Sequence, residues 1–144
     1  MTSASSSYVG DFVSELATHV EGYSAVDLTL GDNLLVEVEH EGESLPSGAI
    51  VSLYSETYDT PEPRFGYRLI EWPVLITANG STRLESINSI RPLVNALVED
   101  RAFTLPGFAV KNVRVESAPE FVSRNQSGRF RSQATLLFFV IPTA

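Results

Sequence analysis

The chain contains no cysteine. Disulfides, thiol nucleophiles, zinc fingers and iron–sulfur clusters are thereby excluded. Histidine is nearly as scarce, with His19 and His40 widely separated, and metal catalysis has little material to use. The longest uninterrupted apolar run, Leu136–Ile141, has six residues, far short of the ~20 a transmembrane helix requires. The opening Met-Thr-Ser-Ala-Ser-Ser-Ser has neither a basic stretch nor an apolar one, so no secretory signal is read there and a soluble intracellular product is expected. No phosphate loop, dinucleotide fingerprint, nucleophile elbow or zinc-protease motif occurs.

The absence with most to say is that of basic residues from the first part of the chain. Residues 1–63 hold 12 Asp/Glu and no Lys or Arg, whereas residues 64–144 hold 6 acids and all 10 bases, nine of them Arg and one Lys111. The two parts carry −12 and +4, and the whole −8. An acidic total disfavours a dedicated nucleic-acid binder, whose affinity comes from cations neutralising phosphates.

What is present fits one domain: 144 residues, 43% of them hydrophobic. A chain of this length removes roughly 70% of its unfolded surface from water and needs no covalent staple. Residues 1–8 read as a loose arm and 9–144 as a single domain. Val9, Phe12, Val13, Leu16, Ala17 and Val20 recur as one face of an amphipathic helix of about four turns, with Ser7 as N-cap and Gly22 as stop. His19 falls in its last turn, where a histidine is mildly favourable. Leu34, Val36 and Val38 alternate with Leu35, Glu37 and Glu39 as in a half-buried strand with an acidic wet face, after which His40 is solvated. Ala49–Tyr54 is a short strand. Ser55–Gly66, with Pro61 and Pro63, is a loop. Tyr67–Ala78 is a long strand with Trp72, Val74, Ile76 and Ala78 on one side, in which Pro73 implies an edge, a bulge or an opening to a partner.

Asn79-Gly80 is a turn, and Thr82 with Glu85 forms a capping box opening a helix over about 82–100. Its buried face is Ile87, Ile90, Val94, Leu97 and Val98, and Pro92 is expected to bend it. Phe103–Gly107 is a connection, Phe108–Ser117 a regularly alternating strand, Ala118–Gly128 a polar tip rich in turn formers, and Arg129–Ile141 the last strand. The fold class predicted is α+β: an antiparallel or mixed sheet of about four to five strands covered by two helices, with a long C-terminal hairpin.

No catalytic or metal constellation emerges. Glu37, Glu39, Glu41 and Glu43 lie ~7 Å apart along a strand, a row and not a cage for a hard cation. No cofactor is implied. Aromatic and arginine side chains near loops remain: Tyr54, Tyr58, Phe65 and Tyr67 around the Pro-rich connection, and Phe121, Arg124, Arg129, Phe130 and Arg131 around the hairpin tip. Tyr and Arg are enriched at protein interfaces, and a guanidinium pairs with carboxylates through two parallel bonds. The alternative is that the aromatics fold back as local loop packing.

With these pieces in order, the chain resembles the tail terminator proteins of long-tailed bacteriophages, also described as minor capsid or tail completion proteins. The resemblance rests on the helix Val9–Val20, the Leu30-Gly-Asp-Asn-Leu-Leu35 lead-in to a small sheet, Leu45-Pro46, and the strand Ile50-Val-Ser-Leu-Tyr-Ser55. It continues through a Pro-containing loop, the strand Arg68-Leu-Ile-Glu-Trp-Pro-Val-Leu-Ile-Thr77, a helix ending Val94-Asn-Ala-Leu97, and the closing hairpin. It covers residues 9–141. The resemblance implies a non-enzymatic structural protein of the virion, usually a hexameric ring in the tail–neck region. Such a ring sits on the head-proximal end of the tail tube, ends its polymerisation and joins tail to head. Its partners are then its own copies, the tail tube protein and a head–neck connector, with DNA only passing through the lumen and no membrane involved.

A cyclic assembly needs two different patches on each copy, and the charge division supplies them. Glu37, Glu39 and Glu41 are expected to face Arg129, Arg131 or other arginines of the next copy; acids lining a channel would instead let DNA slide. The competing functions are another neck or tail-tube component, a small-ligand-binding or enzymatic domain using Trp72, Tyr67 and the acidic face as a pocket, and a monomeric chaperone or adaptor.

Overall fold

The computed structural model describes residues 8–36, 50–54, 69–124 and 128–142. The elements run α1 (Tyr8–Glu21), β1 (Leu34–Val36), β2 (Ile50–Tyr54), β3 (Ile70–Gly80), α2 (Arg83–Asp100), β4 (Phe103–Leu105), β5 (Phe108–Arg124) and β6 (Phe130–Pro142). The strands form one sheet in the order β1-β2-β3-β6-β5-β4. β1 runs parallel to β2, and all other neighbours are antiparallel. The antiparallel strands curl into a half-barrel, an α+β architecture as the sequence implies. Three-residue strands at both edges bring the count to six.

Both helices cover the same face. On α1 the predicted stripe is buried: Phe12, Val13, Leu16, Ala17 and Val20 are wholly inaccessible. The Phe12 ring stacks on Trp72 at 4.6 Å and meets Phe108 and Phe138 edge-on at 5.3 and 5.7 Å. Three strands thus converge on one ring, and truncating it to Ala would cost about 3–5 kcal/mol. Trp72, Val74, Ile76 and Ala78 of β3 lie opposite Phe138, Leu136, Ala134 and Ser132 of β6, all buried under the helices. Trp72 is therefore core and lines no open pocket.

At the start of α2, the Thr82 hydroxyl accepts from the Glu85 amide at 3.0 Å. Glu85 reaches past Thr82, its Oε1 accepting from the Ser81 amide and hydroxyl at 2.6 and 2.9 Å. The buried residues are Ser86, Ile90, Leu93, Val94 and Leu97, while Ile87 and Val98 are only half-buried; the stripe is rotated towards Leu93. Pro92 does not divide the helix. The helix ends at Arg101, in the left-handed conformation (φ 42°), whose amide bonds the Leu97 carbonyl.

Four expectations are corrected. β3 continues through Asn79-Gly80, expected as a turn, and it lies inside the sheet, which excludes the edge among the three readings of Pro73 and leaves the other two open. Among the described residues β2 pairs β3 only as far as Leu75, and Pro73 lies opposite Leu137 of β6. Phe103–Leu105 is a strand, drawn into pairing by the tight Pro106-Gly107 turn, where Gly107 (φ 84°) supplies the positive φ that a type II turn demands. The alternation expected over Phe108–Ser117 breaks at a register shift between Val110 and Asn112, which puts Val110 and Val113 on the same buried face. Finally, β5 runs to Arg124, because three further register shifts absorb the turn formers of residues 118–124 into the strand.

Candidate functional site

The interface residues singled out from sequence divide into three groups. Glu37, Glu39, Glu41, Tyr58, Phe65 and Tyr67 lie outside the described residues, as does His40. Tyr54 ends β2 opposite Leu75, and Arg124 ends β5 opposite Phe130; the description of these two is limited to the backbone. Phe121, Arg129 and Arg131 are described in full.

All three lie at one end of the sheet, Phe121 beside Arg83 and Arg129 beside Glu85 at the start of α2. The strands place Phe121 opposite Ser132 and Arg131 opposite both Asn79 and Ser123. The Phe121 ring lies 5.8 Å from that of Phe130, and the Arg83 guanidinium sits 4.5 Å above it. A cation over an aromatic face is attractive, which offsets the unfavourable position of an arginine at a helix N-terminus. Phe121 is therefore engaged within its own chain, half-buried.

Arg129 donates through Nη2 to the Asn79 carbonyl at 3.4 Å. The Glu85 carboxyl is held below the usual carboxylate range, first by the Ser81 amide and hydroxyl bonds, against an opposing effect of burial, and last by the Arg129 charge. Asn79 is 1% exposed, and its amide nitrogen and oxygen have no hydrogen-bond partner among the described residues. Gly80 is required beside it: a Cβ there would stand 2.7 Å from the Ser86 backbone nitrogen. Next to β3, on β6, the buried Ser132 hydroxyl meets that of Ser86 of α2 at 2.7 Å.

A second polar cluster, joining the C-terminal ends of the two helices, was not legible beforehand. The Tyr23 hydroxyl donates to Asp100 Oδ2 at 2.7 Å, and His19 Nε2 shares that oxygen at 3.0 Å. A carboxylate oxygen only accepts, so Nε2 carries the proton. The imidazole stacks on Phe103 at 4.3 Å and meets Tyr23 edge-on at 5.2 Å. Burial works to raise the Asp100 carboxyl, but the bonds from His19 and Tyr23 outweigh it and hold it below its ordinary value. Burial, then the Asp100 bond and charge, push the Tyr23 hydroxyl well above its own. The cluster clasps α1, α2 and β4 together.

A cleft of about 250 Å³ separates the 25–33 connection from α2. Val26, Leu28 and Pro92 give it apolar walls, and Asp27, Asn88 and Ser89 supply its polar groups. The Asn33 side chain shapes its rim, accepting from the Thr29 amide at 2.7 Å and donating to the Asp27 carbonyl at 2.9 Å. Among the described residues no group of three His, Cys, Asp or Glu could hold a metal ion, and no helix is long and apolar enough to cross a membrane.

No protein-family model matches the chain, and no curated protein matches its sequence.

Proposed function

We propose that this protein is a structural, non-enzymatic ring component of a long-tailed bacteriophage. It closes the head-proximal end of the tail tube and joins tail to head. The observation that carries the reading is the segregation of charge along the chain, with every base after residue 63 and twelve of eighteen acids before it. A copy so divided has two unlike patches, the requirement for a head-to-tail contact that closes into a ring. The element order supports the same reading: apart from the short β4, one helix, two short strands, a long strand, a second helix and a closing hairpin follow the order on which the resemblance to tail terminators rests. The −8 total suits a ring through which DNA passes without adhering.

The test is to add the purified protein to isolated tail tubes and image them by negative stain, with mass photometry of the protein alone and of the mixture. A single closed ring, usually a hexamer, capping one end of each tube is expected. Stacking into a continuous tube would make it a tube component instead. A mass of one chain at every concentration, with bare tube ends, would refute the reading.

A further inference from the structure

We propose that the cleft between the 25–33 connection and α2 receives Lys111 and Arg114, the exposed bases of β5, from a neighbouring copy. The inference rests on the reading that copies assemble, and it names the two patches that meet.

The cleft matches a basic side chain in both its parts. Long cationic side chains lay an aliphatic stem along apolar surface and keep the charged head among polar groups. Val26, Leu28 and Pro92 offer the first, and the Asp27 carboxylate with Asn88 and Ser89 the second. Pro92 contributes more than its ring. Having no N–H, it leaves the Asn88 carbonyl, four residues back on the cleft wall, without its helical donor, and a guanidinium or ammonium group supplies one. Asp27 sits in a stretch of sequence with no base of its own, so no base close to it in the chain competes for it.

The geometry of the sheet decides where from. Asn33, on the cleft lining, directly precedes β1 at one edge of the sheet. Lys111 and Arg114 stand exposed on β5, four strands away, a distance of about 19 Å at the usual strand spacing. Arg114 lies over the ring of Phe139, whose neighbours Phe138 and Val140 are the buried ones, so it stands on the face of the sheet turned away from the helices and the cleft, and a copy does not fill its own cleft with it. Patches at opposite ends of one sheet instead join successive copies head to tail, the contact that generates rings.

The absence of native cysteine makes the test clean. Asp27→Cys is mixed with Arg114→Cys, or with Lys111→Cys, under mild oxidation, and disulfide-linked dimers are followed on non-reducing gels. The exposed Glu71→Cys serves as the control partner, and circular dichroism confirms that each variant is folded. Dimers forming several-fold faster with residue 111 or 114 than with the control support the proposal. So does loss of assembly in Asp27→Lys that is regained when Lys111 and Arg114 are both changed to Asp. Assembly that persists by mass photometry in Asp27→Lys, with no enhanced cross-link, overturns the inference and leaves the ring standing. A chain that stays monomeric even with tail tubes, again with no enhanced cross-link, overturns both.

Discussion

The hydroxyl pair between α2 and β6 allows a prediction in which two chemically identical substitutions have unequal costs. Ser86 Oγ lies 2.9 Å from the Arg83 carbonyl and 2.7 Å from Ser132 Oγ, and both serines are wholly buried. A carbonyl can only accept, so the single Ser86 hydroxyl proton goes to Arg83, and Ser132 must donate to Ser86. Ser86→Ala then strands a buried donor at Ser132 and should cost about 1–3 kcal/mol. Ser132→Ala leaves Ser86 bonded to Arg83 and removes one accepted bond, at about 0.5–1.5 kcal/mol. The double variant strands nothing and should cost no more than Ser86→Ala alone, giving a coupling on the order of 1 kcal/mol. Urea unfolding measures this directly, with the lone buried Trp72 as the fluorescent reporter and unchanged m-values as the check that only stability moved. Costs that add to within about 0.5 kcal/mol, or a Ser132→Ala cost above that of Ser86→Ala, would refute the proton assignment.

Gly80→Ala should destabilise by about 1–3 kcal/mol, because its Cβ meets the Ser86 backbone nitrogen at 2.7 Å and backbone cannot step aside; thermal unfolding would show a midpoint lower by several degrees. Arg101→Gly should stabilise by about 1 kcal/mol, since a residue with a Cβ is held at φ 42° at the end of α2, and a higher urea midpoint is the readout. For Asp100 the sign follows from its depressed folded-state pKa. Its contribution is fully present above the unfolded value near 4 and is lost as pH falls through the lower folded value. Asp100→Asn should therefore be less stable at neutral pH and show a shallower loss of stability in acid, measured by urea titrations from pH 2 to 7. Parallel curves for the two proteins would remove Asp100 from the acid transition.

How much of this was legible depended on whether the signal was local. The α1 stripe, the Thr82 cap and the alternation through Trp72, Val74, Ile76 and Ala78 were readable because each is decided within a few residues of chain. β4 was not, because a three-residue strand exists only through its pairing with Phe108–Val110. The break at Lys111 was hidden by apparent alternation; the three-residue spacing of Val110 and Val113, with Lys and Asn between, was the available hint. His19, Tyr23 and Asp100 are 77 and 81 positions apart in the relevant pairs, and no pattern in a single sequence encodes such a meeting. Of the interface residues, Phe121 lies under Arg83 of α2, a contact between distant parts of the chain that no local pattern encodes.

The four register shifts of β5 bear on the chain's behaviour in crowded solution. β4 covers β5 only at Phe108–Val110, so from Lys111 onward no described strand lies along its outer side. A flat seventeen-residue strand left open in this way is a template onto which unfolded chains can add, the first step towards fibrils. Each shift twists the strand and spoils the even spacing of its N–H and C=O groups, while Pro119 withholds a donor and Lys111, Arg114, Glu116 and Glu120 add charge. Regularising the strand by deleting the extra residue at position 111 would turn a protected border into a seed for aggregation.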